Sequence, residues 1–431
     1  MKKTSAFYFI VSIAIFLFNG LETKTHKEHK LSVNLQTDKL FLIAFGSPIV
    51  DAIINYESDA KLAEELKSNM KYHLTKDSSK ELYYSAFDSH HSQILLGGSA
   101  LNTVRIINYI SNEFFKNFIE LNGIKYNSIK EALDQGKYIE VGYVGMIGKD
   151  KYGEFVKSKL ETENVKFLGW ELEDKMTSTA IVLIESRERN IFAHISASKN
   201  INSEHLRDYE HLINKSKIFY ADSYLIKYSF SAFEYVFKNF AYLDVLLALS
   251  LSNESLIEDN YDKFVQLFPY VDIFIGNSDE FQIIKKLMGY ENMEITEFFE
   301  KFSETFDKFN KNKNRIIVNT RGQNSTLIFS KNFVDHRKEL IEIPPLELDE
   351  SLIVDLNGAG DGFAGGFFTG IMLNLNLYQC GQLGNKIASE IIKLKGFQIP
   401  YKMDIKDFED IIYLNDNNKD NINSLKQKSD L

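Results

Sequence analysis

The stretch "DLNGAGDGFAGGFFTG", Asp355 to Gly370, holds six of the chain's 23 glycines and, among them, one carboxylate, Asp361. The preceding "ESLIVDL" reads as a strand, "NGAG" as a turn and "DGFAGGFFTGI" as a helix. Gly358, Ala359 and Gly360 then expose consecutive N–H groups at a helix N-terminus, where the dipole also favours an anion. No GK[ST] follows, so this is not a P-loop. The dinucleotide fingerprint fails as well, because its third glycine would fall on Phe363. Gly365, Gly366 and Gly370 read as packing glycines. The pattern that remains is an anion site with a carboxylate in the first helical turn.

The rest of the chain supplies the frame for such a site. "KIFYADS", "DVLLALSLS" and "VDIFIGNSDE" are apolar runs, each followed by a polar turn and a helical stretch. "LFLIAFGSPIVDAIIN" reads as two strands around Gly46-Ser47-Pro48, and "YIEVGYVGMIG" as a buried strand. "RIIVNTRG" with "STLIFS" forms another strand pair, and helices are predicted over Phe363–Leu375 and Leu383–Leu394, with Gly396 as C-cap. Strands alternating with helices predict an α/β fold, a mostly parallel sheet covered on both faces. The hairpin "TAIVLIESRERNIFAHIS" breaks that alternation and predicts a second, smaller sheet over a cleft. In such folds ligands bind beyond the carboxyl ends of the strands.

Composition narrows the function classes. With 44% apolar and 26% charged residues the 431-residue chain is globular. A net charge of −10 argues against a nucleic-acid surface, which needs clustered Lys and Arg. The one cysteine, Cys380, excludes an internal disulfide. "MKKT" followed by an apolar run from Ala6 to Phe18 predicts a signal peptide over residues 1–22, then a polar linker over 23–39. The expected location is therefore the secretory pathway, the endoplasmic reticulum or outside the cell, or the cytoplasm if the leader does not function. No stable membrane insertion is expected after leader removal. The tail "KSDL" partly resembles a retention signal. One domain is predicted over 40–409, with an insertion at 112–137 and a disordered polar tail over 410–431.

Six segments together resemble a family. "FGSPIVD", "GGSALNTVR", "GYVGMIGKDKYGE", "FPYVDIFIGNSDE", "NTRG" and "DLNGAGDGF" occur in the order found in the ribokinase-like (PfkB) carbohydrate and nucleoside kinases. Asn357 makes the last of them similar to the adenosine-kinase branch. The resemblance spans Phe41 to about Glu409 and implies a large α/β domain with a small β lid, ATP with Mg²⁺, and a monomer that phosphorylates a ribosyl hydroxyl of adenosine or a related nucleoside. It implies that Asp361 is the general base and that Gly358, Ala359 and Gly360 form the anion hole. Asp51 is similar to the aspartate that holds the ribose hydroxyls, and Gly98, Ser99 and Asn102 to the second ribose element. Asn357 would face the nucleoside. Asn277 and Glu280 match an N-x-x-E element that positions Mg²⁺; read alone, the same residues are a helix N-cap with an acidic first turn. Thr320, Gly322, Asn385 and Arg189 match positions beside ATP, although Asn385 reads equally as a solvated helix residue and Arg189, in an exposed hairpin turn, reads more readily as a solvated one.

The departures concern the acceptor pocket. Ser47 stands where asparagine is usual, Met146 where the pocket residue is often small, and Ser250 where asparagine is common. In "ADSYLI" Leu225 takes the place of a pocket phenylalanine, which predicts weaker base stacking. His90-His91 lacks partners at metal-ligand spacing. The resulting expectation is ATP-dependent phosphorylation of the adenosine 5′-hydroxyl. The alternatives are another ribosyl or sugar acceptor, or a catalytically weak secreted nucleoside-binding protein.

Overall fold

The apolar runs that end in polar turns become strands, and the more polar segments β1 and β14 add the two edges of the large sheet: β1 (Glu28–Lys30), β2 (Leu42–Phe45), β3 (Ile49–Asn55), β4 (Ser92–Gly97), β5 (Val141–Gly148), β6 (Lys166–Leu172), β7 (Ser178–Glu185), β8 (Glu188–His194), β9 (Ile218–Asp222), β10 (Leu246–Ser250), β11 (Ile273–Asn277), β12 (Arg315–Thr320), β13 (Thr326–Lys331) and β14 (Lys338–Ile343). The computed structural model describes residues 28–31, 40–56, 60–70, 85–90, 92–121, 140–185, 188–400, 403, 408 and 411; at 67–70, 113–121, 185, 188 and 189 it describes the backbone alone. The leader, most of the linker, residues 122–137 of the insertion with residues 138–139 after it, and the tail beyond 411 lie outside the described residues.

The large sheet has the order β1-β6-β5-β2-β9-β10-β11-β12-β13-β14. From β6 through β12 all neighbours are parallel, and β1, β13 and β14 join antiparallel at the edges. Alternation along each strand buries both faces. In β2, Ile43 and Phe45 enter one apolar layer while Leu42 and Ala44 enter the other. β9 repeats this, with Phe219 and Ala221 on one side and Ile218 and Tyr220 on the other.

Five helices frame the region beyond the strand ends: α1 (Ala60–Met70), α2 (Ser99–Leu121), α3 (Ser278–Leu287), α4 (Ala359–Met372) and α5 (Leu377–Ile391). Helix α4 packs closely between α2 and α5. A Cβ at Gly365 would stand 2.8 Å from Cβ of Ile106, and one at Gly370 would stand 2.8 Å from Cα of Cys380. α5 begins six residues before its predicted start, because Asn376 and Gln379 form a capping box there.

The smaller sheet has the order β4-β3-β7-β8. Its Val50, Ala52, Ile181 and Leu183 are buried with Ala63 and Leu66 of α1, while Ala180, Val182 and Ala193 face a cavity beneath.

Candidate active site

Parallel strands bring the carboxyl ends of β9, β10, β11 and β12 to one edge of the large sheet. There Asp222, Ser250, Ile275 and Thr320 line a cavity of about 430 Å³, roofed by Ile191, Ala193 and Ile195. That size lies within the range of small-molecule sites, roughly 300–1,000 Å³.

The turn before α4 enters this cavity. Asp355 holds it in shape: Oδ1 accepts from the Asn357 N–H at 2.8 Å and Oδ2 from the Gly396 N–H at 2.6 Å. Gly358 takes φ +78° as the N-cap of α4, a conformation that disfavours any residue with a Cβ. Asn357, Gly358, Gly360 and Asp361 all line the cavity. The Ala359 N–H donates to the Leu356 carbonyl at 3.3 Å. The first-turn amides of Gly360 and Asp361 have no intrahelical acceptor, by the geometry of any helix start. The open end of α4 therefore presents a positive dipole and free donors to the cavity.

Asp361 stands in that first turn. Its Oδ1 accepts from Ser99 Oγ at 2.6 Å, and its Oδ2 from Asn102 Nδ2 at 2.8 Å. Both donors come from the first turn of α2, so two helix starts meet at one carboxylate. Burial pushes the Asp361 pKa above the ordinary carboxylate range, and the Ser99 and Asn102 hydrogen bonds pull it partly back. Gly98, just before α2, has φ +108°, and Asp51 reaches the cavity from β3.

Asn277 and Glu280 form a capping box at the start of α3. Asn277 Oδ1 accepts from the Glu280 N–H at 2.9 Å, and Glu280 Oε2 accepts from the Asn277 N–H at 2.9 Å. Both side chains also line the cavity, so the capping and ligand-facing readings describe the same residues. Burial pushes Glu280 up to about 7, with Glu254 and Asp279 adding to the effect. Register places Thr320 of β12 directly opposite Asn277 of β11, and Thr320 lines the cavity with it.

Other sequence-predicted residues do not reach the cavity wall. Met146 is fully buried with Phe45 and Trp170, because alternation along β5 turns it into the core. Leu225 is also fully buried. It belongs to the single 3₁₀ turn Ser223–Leu225, whose roughly 120° step per residue points Tyr224 into the cavity and Leu225 inward. The expected loss of an aromatic wall is thus corrected: Tyr224, 45% exposed, supplies one. Asn385 accepts from Thr326 Oγ1 at 3.1 Å and donates to the Pro344 carbonyl at 3.2 Å, away from the cavity lining. Gly322 has φ +57° in the loop after β12. Arg189 lies on β8, and its side chain is outside the described residues.

Sequence reading missed Asp222 as a site residue. It is 1% exposed and lines the cavity, and a polar residue ending an apolar strand was the signal available for it. Asp51, Asp222, Glu280 and Asp361 bring four carboxylates to this cavity, with no Lys or Arg among the described residues lining it. Among the described residues no group of three or more His, Cys, Asp or Glu side chains is placed to hold a metal ion by itself.

The chain belongs to the pfkB family of carbohydrate kinases, whose model matches residues 83–403, and that membership makes it a phosphotransferase with an alcohol group as acceptor. Among curated relatives, it is 23% identical to adenosine kinase 2 of Arabidopsis thaliana over 84% of this chain and 96% of that one. It is 25% identical to the adenosine kinase of Dictyostelium discoideum over 83% and 96% respectively. In fold it is similar to Anopheles gambiae adenosine kinase in complex with P1,P4-di(adenosine-5) tetraphosphate, with a TM-score of 0.68 and 22% identity over 83% of this chain and 96% of that one. A probable sugar kinase from Rhizobium etli is similar as well, with a TM-score of 0.64 and 18% identity over 86% of this chain and 97% of that one. The fold is ribokinase-like.

Proposed function

We propose that the protein is an ATP-dependent nucleoside kinase that transfers the γ-phosphate of ATP to the 5′-hydroxyl of adenosine, giving AMP and ADP. The observation that carries this reading is Asp361, a carboxylate held by two hydrogen bonds in the first turn of α4, beside Gly360 and facing the cavity. Each Asp361 oxygen has a further lone pair for an acceptor hydroxyl. As the new O–P bond forms, Asp361 takes the hydroxyl proton, and burial makes it a better base than an exposed carboxylate. The Gly358–Gly360 turn and the α4 dipole stabilise charge on the transferring phosphoryl group.

The acceptor class follows from charge. An acceptor that already carried a phosphate would meet Asp222 and Asp361 on a cavity wall that holds no Lys or Arg among the described residues. A neutral nucleoside or free sugar is favoured instead. Asp51 suits the ribose hydroxyls, and Tyr224 offers a ring for the base, a contact worth roughly 1–3 kcal/mol in nucleic-acid binders. The names of the relatives, adenosine kinases at low identity, point the same way.

The residues fit Mg²⁺ carried with ATP. Burial, with Glu254 and Asp279 adding to it, lifts Glu280 to about 7, an environment that a hydrated divalent cation would relieve. Asn277 and Glu280 would hold the ion through water, and it would supply charge neutralisation on the phosphates.

A second reading, another ribosyl or sugar acceptor, is favoured by one observation. Ser47 on the cavity floor donates to Ser198 Oγ at 2.8 Å, and Ser178 joins them at 3.1 Å, so serines occupy ground where a longer amide is usual. The retained hold on Asp361 argues against a mere binding protein.

The test is ADP release from Mg-ATP across a panel of nucleosides and free sugars. Adenosine is expected to give the highest kcat/KM. Release with sugars alone establishes the second reading. Silence throughout, with nucleoside binding seen by calorimetry, overturns the kinase. A secretory location is likewise proposed from residues 1–22, and a fluorescent fusion to residues 1–30 that stays in the cytosol contradicts it.

A further inference from the structure

We propose that Asp222 is a positioning residue for Asp361: through Ala100 it fixes the turn of α2 from which Ser99 and Asn102 hold Asp361, and its charge acts on that carboxylate across the cavity floor. The inference rests on the kinase reading for its catalytic meaning, but its geometry stands alone.

Asp222 ends β9, and its Oδ2 accepts from the Ala100 N–H at 2.9 Å. This caps the start of α2 from a distant strand, since a first-turn N–H has no partner within its own helix. Its Oδ1 accepts from the Tyr224 N–H at 3.1 Å, which fixes the turn that turns Tyr224 into the cavity. Ala100 lies between the two residues that grip Asp361, Ser99 at 2.6 Å and Asn102 at 2.8 Å. A slack Ala100 contact would therefore loosen both grips together. The fit is close on the other side as well, because a Cβ on Gly46 would collide with the Asp222 carboxylate.

The charges around Asp222 are of one kind. Asp361 faces it from α4; the titratable neighbours are Tyr143 of β5, Tyr220 of its own strand and Tyr224 of the following turn. No lysine, arginine or histidine acts on it among the described residues. Burial, with the Asp361 charge adding to it, pushes Asp222 up to about 7. Near neutral pH Asp222 thus changes charge. Ionised, it accepts both backbone N–H groups and raises the basicity of Asp361. Protonated, its hydroxyl oxygen is the poorer acceptor, and the field on Asp361 is lost.

The test has two arms, both on the full chain. In the first, the pH dependence of kcat with adenosine and Mg-ATP is compared for the wild type and Asp222→Asn. The wild type is expected to show an upper step near pH 7, where Asp222 ionises. In the variant that step disappears and kcat falls by up to about a hundred-fold, with the adenosine KM little changed, the pattern of misplacement rather than lost binding. A uniform loss at every pH, or a retained step, overturns the proposal. The second arm needs no turnover. Carbon-13 carboxyl resonances are followed through pH, with Asp361 assigned by its disappearance in Asp361→Asn. The Asp361 signal is expected to inflect a second time near pH 7, where Asp222 ionises, and to lose that second inflection in Asp222→Asn. A signal that titrates once in the wild type refutes the coupling even if Asp222→Asn does not fold. If the wild type phosphorylates nothing, the kinase reading fails while this second arm still decides the coupling.

Discussion

Gly358 and Gly360 stand two residues apart and answer to alanine in opposite ways. Gly358 has φ +78°, and a Cβ there would lie 2.5 Å from Cδ2 of Phe397. The left-handed conformation costs an L-residue about 1–2 kcal/mol. The crowding against Phe397 adds about 1–3 kcal/mol, typical of overpacking. Gly358→Ala should therefore lose roughly 2–5 kcal/mol of stability and shift the start of α4, lowering activity as a consequence. Gly360 lies inside α4, and a Cβ there would have no atom within 4 Å. Gly360→Ala should keep its stability, since at the second residue of the helix it gains at most part of the roughly 0.5–1 kcal/mol that a mid-helix change gives. Its methyl group nevertheless enters the space assigned to the transferring phosphoryl group, a loss comparable to removing one oxyanion donor, about 10²–10³ in kcat. Urea unfolding and steady-state turnover of the two variants separate these effects. Normal turnover in Gly360→Ala would refute the anion hole, and wild-type stability in Gly358→Ala would refute the strained turn.

Three further outcomes are expected. Asp361→Asn should lower kcat by about 10²- to 10⁴-fold while calorimetry finds nucleoside affinity largely unchanged, since Asn keeps the shape but cannot take a proton. Asn277→Ala should cost about 1 kcal/mol in urea unfolding through the lost cap, and should also raise the magnesium concentration needed for half-maximal turnover; an unchanged magnesium requirement limits Asn277 to capping. For pH, Glu280 has its pKa raised from 4.5 to about 7 on folding, so the native state binds more protons than the unfolded chain across that interval. The stability contribution is present below the unfolded value and falls as pH rises to about 7, by up to about 3 kcal/mol. Glu280→Gln can still cap α3 and should remove that dependence. Equal urea midpoints for variant and wild type at pH 8 and at pH 5 would show that Glu280 is not held above its ordinary range.

The local parts of the site were legible in the sequence because turn chemistry is local. Gly358, Gly360 and Asp361 form a turn and open a helix, and those signals are carried within a few residues. The preceding "ESLIVDL", expected as a strand, is instead a 3₁₀ turn at Glu350–Leu352 followed by irregular chain, because no neighbouring strand among the described residues pairs with it. The strand order placed other candidates at one edge, so Thr320 and Asn277 meet by register. Three kinds of feature escaped. Which residue of a one-turn element faces the cavity depends on how that turn docks, so Leu225 was read for Tyr224. Met146 was assigned to a pocket although alternation along β5 sends it into the core. Asp222 acts through a contact 122 residues away in sequence, which no local pattern encodes. The added edge strand β1 was likewise read as linker, because its "EHK" lacks an apolar signature and is held by pairing with β6.

The central claim is transfer to a neutral ribosyl hydroxyl at Asp361. The most direct measurement is phosphorus-31 NMR of the purified full chain with Mg-ATP and adenosine, beside Asp361→Asn. The account predicts that ADP and AMP resonances grow together in the wild type and are nearly absent in the variant. Equal AMP formation by the variant, or ADP accompanied by inorganic phosphate at the same rate without adenosine, would contradict it.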